Sequence, residues 1–119
     1  MSDINQIQIL GRIGADAEIR SVQSGKEIAS FSVATDTGWQ DKDKGAWHEN
    51  THWHRVVTFQ PGLISVLKDR AKKGVRVIVS GEMSYRSWRK DGESSDRQQA
   101  EILVGSDGKI NFIDRDKTD

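Results

Sequence analysis

The chain is 119 residues long with a mass of 13.4 kDa, enough for one domain around one core and too short for two. Hydrophobic residues make up 34% and charged residues 30%, yet the apolar residues recur in clusters, which points to a small globular domain; cysteine is absent, which excludes disulfide scaffolds, thiol catalysis and zinc sites built on Cys. Eighteen basic side chains balance eighteen acidic ones, and a zero net charge taken alone argues against a nucleic-acid partner.

Residues 6–13 alternate, with Ile7, Ile9 and Ile13 on one parity and Gln6, Gln8 and Arg12 on the other, the pattern of a half-buried strand. Gly11 and Gly14 interrupt it as a bulge or sharp bend would. Ser24-Gly25-Lys26 marks a turn, and residues 28–36 read as a second strand with Phe31 and Val33 inward against Ser30 and Ser32. Residues 41–45, DKDKG, read as an exposed hairpin tip. Residues 51–59, rich in β-branched and aromatic side chains, predict a third strand.

The period then changes. Pro61 suits a first helical turn, and Leu63, Ile64, Leu67 and Ala71 fall on one face at helical spacing. Lys72, Lys73 and Gly74 close the segment, so a helix is predicted over 61–73. Residues 75–89 predict a long fourth strand bent at Gly81, Asp91-Gly92 a hairpin turn, and residues 98–104 a fifth strand. After a turn at 106–108, residues 110–113 add a short last strand. Five main strands with one helix between the third and fourth give the order of an OB-fold barrel, an all-β architecture whose closed sheet has no edges. A small α+β sheet domain of another topology is the alternative this pattern leaves. The domain is placed at residues 1–113, with 114–119 as a short charged tail.

No run of 18 apolar residues is present, so no membrane-spanning helix is expected. The start MSDINQIQILGR lacks the basic start and apolar centre of a secretory signal and the Arg/Ser bias of a transit peptide. A cytoplasmic location is the default expectation.

The charge is unevenly spread: residues 1–49 carry a net −3, residues 50–99 a net +5 and residues 100–119 a net −2. A neutral total can therefore hide a basic face drawn from the middle of the chain, although a mixed surface gives the same sums. The four tryptophans stand in that context. On the fourth strand the odd positions from Val75 to Tyr85 read as the core face, which leaves Trp88 on the polar side with Arg86. On the third strand Trp53, Arg55, Val57 and Phe59 share a parity, while Trp39 and Trp47 flank the hairpin. Aromatic rings interleaved with cations on a solvent-facing sheet are what a single-stranded nucleic acid requires: bases stack on the rings and Arg or Lys holds the phosphates. The competing explanation seats each Trp at the rim of the core with its N–H satisfied.

Other chemistry is poorly supported. His48, His52 and His54 lack the converging partners that a metal site needs, and Asp36, Asp41 and Asp43 sit in or beside a Lys-interleaved hairpin that reads as a solvated loop. No Gly-rich loop ending in GK[ST] is present and no Ser-His-Asp arrangement stands out. No catalytic residue, metal or cofactor is therefore expected. Lys72 and Lys73, at a solvated helix end, could reach phosphates.

Four stretches carry a family resemblance: ILGRIGADAEIR (9–20), FSVAT with Trp39, THWHRVVTF (51–59) and KKGVRVIVSGEMSYRSW (72–88). In them the chain is similar to the DNA-binding domain of the bacterial single-stranded DNA-binding protein family. The resemblance implies an OB fold, assembly usually as a homotetramer with a dimer as the alternative, and sequence-tolerant binding of single-stranded DNA in replication, recombination and repair. It assigns base stacking to Trp39, Trp53, Phe59 and Trp88, and phosphate contacts to Arg55, Lys73 and Arg86. It sets His54 beside a subunit contact, and the first strand with Ile7 and Ile9 is the expected pairing edge. A bacterial, plasmid or phage origin follows from it. The chain departs from the family pattern in QPGLISV after Phe59, where a Gly-Lys entry to the helix is usual, in Ala17 where Pro is common, and in Trp47. It ends at DRDKTD without the Gly, Pro and Gln-rich linker and acidic tip of the family, so partners recruited through that tip are not expected for these 119 residues. A primosome-type assembly module acting through protein contacts is the alternative function.

Overall fold

In the computed structural model, residues 3–113 are described; the charged tail expected at 114–119 lies outside them. In chain order the elements are strands β1 (Ile7–Ile13), β2 (Glu18–Ser21), β3 (Glu27–Asp36), β4 (Trp39–Gln40), β5 (Trp47–His48) and β6 (Thr51–Thr58), helix α1 (Pro61–Arg70), and strands β7 (Arg76–Trp88), β8 (Arg97–Val104) and β9 (Lys109–Ile113). Strands β1, β3, β6, β8 and β7 form a ring, because β1 pairs with both β3 and β7. The ring is the expected five-stranded OB-fold barrel, with α1 crossing between the third and fourth of the long strands. All ring pairings are antiparallel except β6 with β8.

The alternation seen in the sequence sets the inside of the barrel. Ile13, Phe31, Val33, Val56, Val77, Val79, Ile102 and Val104 are buried from five strands, and α1 adds Ile64 and Leu67. A helix this short gains its stability from burying that stripe. Pro61 stands in its first turn and Lys68 and Arg70 in its last, where cations complement the carbonyl end. The helix stops at Arg70, three residues short of the predicted end. Ala71 leaves helical geometry at ψ 76°, and Gly74, at φ 90°, turns the chain so that its N–H donates to the Ile13 carbonyl at 2.7 Å. Lys72 and Lys73 therefore belong to a turn between α1 and β7.

Strand β7 changes partners along its length. Its first half pairs with β1 and β9 through residues 76–81, and its second half pairs with β8 through residues 82–88. The switch falls at Gly81, where an added Cβ would lie 2.5 Å from the Leu103 carbonyl oxygen. Beyond it the strand runs out past the barrel. Tyr85, expected on the core face, is 65% exposed for this reason. Two features escaped the sequence reading. Strand β2 pairs with β3 as a short flap, and the hairpin between β3 and β6 carries its own two-stranded ribbon, β4–β5.

Candidate nucleic-acid interface

Cross-strand partners share a face of a sheet, so the registers define the outer surface opposite the core. On it, Ala34 stands opposite Trp53 and Ser32 opposite Arg55. Val57 stands opposite Leu103 across the parallel pair. Ser84, Arg86 and Trp88 stand opposite Glu101, Gln99 and Arg97. The parity that placed Trp53, Arg55 and Val57 together, and Arg86 with Trp88, thus describes one continuous face of β6, β8 and β7.

The rings on this face are open to solvent: Trp53 is 63% exposed, Phe59 51% and Trp88 38%. Large aromatic side chains left outside a core are a binding signal when they cluster. Phe59, Val57, Leu103, Ser84, Arg86 and Glu101 line a shallow depression in the sheet. Trp53 is seated over Gly14: a Cβ there would lie 2.2 Å from Trp53 Cζ3 and 2.7 Å from Cη2. The glycine that reads as a bend in the sequence is also the floor under an exposed indole. Gly14→Ala should leave folding nearly intact, because the ring can swing into solvent. It should weaken binding of single strands toward the about 1–3 kcal/mol expected for losing one stacked base, measured by titration of tryptophan emission.

The arginines are held by a residue that sequence reasoning missed. Arg55 Nε donates to Glu101 Oε2 at 2.6 Å, and Arg86 Nε lies 3.7 Å from the same oxygen. Arg86 Nη2 donates to Gln99 Oε1 at 3.2 Å, and its guanidinium carbon lies 4.9 Å from the Trp88 ring centroid, a cation–π arrangement. Glu101 follows a polar run, RQQA, in a strand that reads by its apolar end. Its isolated acidic charge carried no signal without knowing that β8 lies between β6 and β7.

The other predicted site residues lie around this face. Trp39 is 56% exposed on the β4–β5 arm and stacks on His48, with ring centroids 5.1 Å apart and planes at 25°. Its register pairs it with His48 and pairs Gln40 with Trp47, so Trp47, 60% exposed, is on the arm's other face. The base of the arm is fixed by Asp36, whose Oδ1 accepts the N–H groups of Gly38 at 2.9 Å and Asn50 at 3.1 Å. The Lys72–Lys73 turn is exposed, and the Lys73 N–H donates to Asp16 Oδ1 at 2.9 Å. It therefore flanks the loop that begins with Gly14 beneath Trp53. The structure thus brings Arg55, Phe59, Arg86 and Trp88 together with Trp53 beside them; Trp39 and the two lysines stand on separate supports.

The residues expected at a subunit contact lie elsewhere. Ile7 and Ile9 pack against the core. Beside them β1 meets β3 only at Arg12 and Ile13, so on the side away from β7 its residues 7–10 have no strand partner among the described residues, and Leu10 is 46% exposed. His54 is on the parity of Val56, half-buried, with Nε2 2.8 Å from Thr35 Oγ1. Burial, and secondarily the charge of His52, lowers its pKa below 6.5. A depressed pKa means that the unfolded chain takes up this proton first. The stabilisation is full above the unfolded value of 6.5 and is lost as pH falls through the folded one. Thermal stability should therefore decline on acidification from about pH 7.5 to about pH 5, and His54→Gln should flatten the His54 share of that decline.

Comparison with known proteins matches this arrangement to one family. The profile of the Single-strand binding protein family covers residues 4–113. The single-stranded DNA-binding protein of Rhizobium meliloti is 35% identical over 112 residues, which are 93% of this chain and 64% of the relative. Single-stranded DNA-binding protein 1 of Xylella fastidiosa is 41% identical over 104 residues, 87% of this chain and 75% of the relative. The chain thus spans less than two thirds of the Rhizobium protein's length and three quarters of the Xylella one. Among solved structures, the Plasmodium falciparum SSB in complex with ssDNA superposes with a TM-score of 0.82 at 30% identity, covering 96% of this chain and 98% of that one. A deletion mutant of the Thermus aquaticus single-stranded DNA binding protein shares the fold, with a TM-score of 0.71 at 24% identity over 93% of this chain and 51% of that one. With nearly all of residues 3–113 matched, the chain belongs to the single-strand binding protein family.

Proposed function

We propose that the chain binds and protects single-stranded DNA with little regard to sequence, by stacking bases on Trp53, Phe59, Trp88 and Trp39 while Arg55, Arg86, Lys72 and Lys73 hold phosphates. The observation that carries this reading is the outer face of β6–β8–β7, where exposed aromatic rings and two arginines occupy adjacent register positions. Flat rings accept every base, and backbone charge is the same for every sequence. The role is binding without catalysis or cofactor, in the cytoplasm, in DNA replication, recombination and repair. Oligothymidylate should quench tryptophan emission and saturate, and duplex DNA of equal length should not. No change in emission at saturating oligothymidylate would favour an assembly module acting through protein contacts.

The working form is a homotetramer with residues 1–113 as its domain. The unpartnered edge of β1 supports association, since exposed edges recruit strands and small chains gain buried surface from it. Light scattering should give four times the 13.4 kDa chain mass at micromolar concentration; twice that mass identifies a dimer, and a single chain mass overturns the assembly.

A further inference from the structure

Glu101 is an acidic side chain in the middle of a face assigned to a polyanion. It is only 9% exposed, and its Oε2 meets Arg55 at 2.6 Å and Arg86 at 3.7 Å. The three residues come from three adjacent strands, β6, β8 and β7, so the carboxylate ties the face together across both strand pairs. An anion there opposes a phosphate electrostatically, and two guanidinium groups without it, one partly buried and one half-exposed, would repel each other. Arg55 is engaged through Nε, and a guanidinium carries further N–H donors on its two terminal nitrogens. Arg86 is fixed further by Gln99 and lies over Trp88.

We propose that Glu101 is a positioning residue that acts as a built-in counter-anion. It holds Arg55 and Arg86 side by side for the DNA backbone and reduces the charge of the trio from +2 to +1. Binding then relies more on stacking, and the strand is held less tightly by charge than the number of cations implies. This rests on the single-strand reading above, and the wild-type titration tests that reading separately.

The test is the slope of log K against log salt for oligothymidylate binding by the full chain. Glu101→Gln keeps the shape and an acceptor oxygen for Arg55 but removes the charge. The trio becomes +2, so the slope should steepen by about 0.7, one more neutralised phosphate, and affinity at low salt should rise several-fold. Asp69→Asn on the exposed surface of α1 makes the same change in net charge away from the face and should leave the slope as it is. An unchanged slope in Glu101→Gln, with or without weaker binding, would reduce Glu101 to a structural role and overturn the proposal. Removing one member of a buried pair can prevent folding. In that case Arg55→Gln is compared with the double variant Arg55→Gln/Glu101→Gln, whose remaining charges are 0 and +1. The double variant should again be steeper by about 0.7, and equal slopes would overturn the proposal. If wild type itself fails to bind, the functional reading falls and not the role of Glu101 alone.

Discussion

Replacing both Trp53 and Trp88 with Ala is expected to weaken single-strand binding by about 2–6 kcal/mol, a loss between roughly 30-fold and 10⁴-fold. Each ring offers a stacking surface worth about 1–3 kcal/mol per base, and the two stand on different strands of the same face, 63% and 38% exposed. Both lie outside the buried cluster that stabilises the barrel. Stability should therefore move by no more than about 1 kcal/mol, most of it from the Arg86–Trp88 contact. Titrations of the two single variants decide whether the losses add; a shortfall from additivity measures how far one strand must engage both rings at once. Affinity within twofold of wild type in the double variant would remove the stacking face from the account.

Binding should also weaken steeply with salt although the chain is formally neutral. Four cations on phosphates, Arg55, Arg86, Lys72 and Lys73, would set a slope near −3, and compensation of one by Glu101 brings it near −2. Raising salt from about 50 to about 200 mM should then lower affinity by about 16-fold to 60-fold. The effect arises because the field that matters is local: residues 50–99 carry +5 while the segments on either side are acidic. A flat response over this range would show that the middle segment is not the footprint.

The long strands and the helix were legible because their periods are strong. Val77 and Val79 alternate with Arg76 and Ser80, and Ile64 and Leu67 recur at helical spacing. The shared face of Trp53 and Arg55 on β6, and of Arg86 and Trp88 on β7, was legible for the same reason, since parity alone fixes which side chains share a face. The sequence was silent where long-range pairing decides. Strand β2 is four residues long and exists through its pairing with β3, and the helix end is set by a hydrogen bond from Gly74 to Ile13 in β1. Tyr85 keeps the parity of the core face but is exposed because β7 outruns the barrel. Glu101 was invisible for the most general reason: a single carboxylate acquires its meaning only from the two arginines that neighbouring strands bring to it.

Photo-cross-linking tests the central claim, that the outer face of β6–β8–β7 is the path of the strand. An oligothymidylate carrying photoreactive uracil at successive positions is irradiated in complex with the protein, and the attached residues are identified by mass spectrometry. Such groups react with aromatic rings stacked on the base, so adducts should map to Trp53, Phe59 and Trp88, with Trp39 on the arm. Adducts confined to α1, β9 or the exposed edge of β1, with none on those rings, would contradict it.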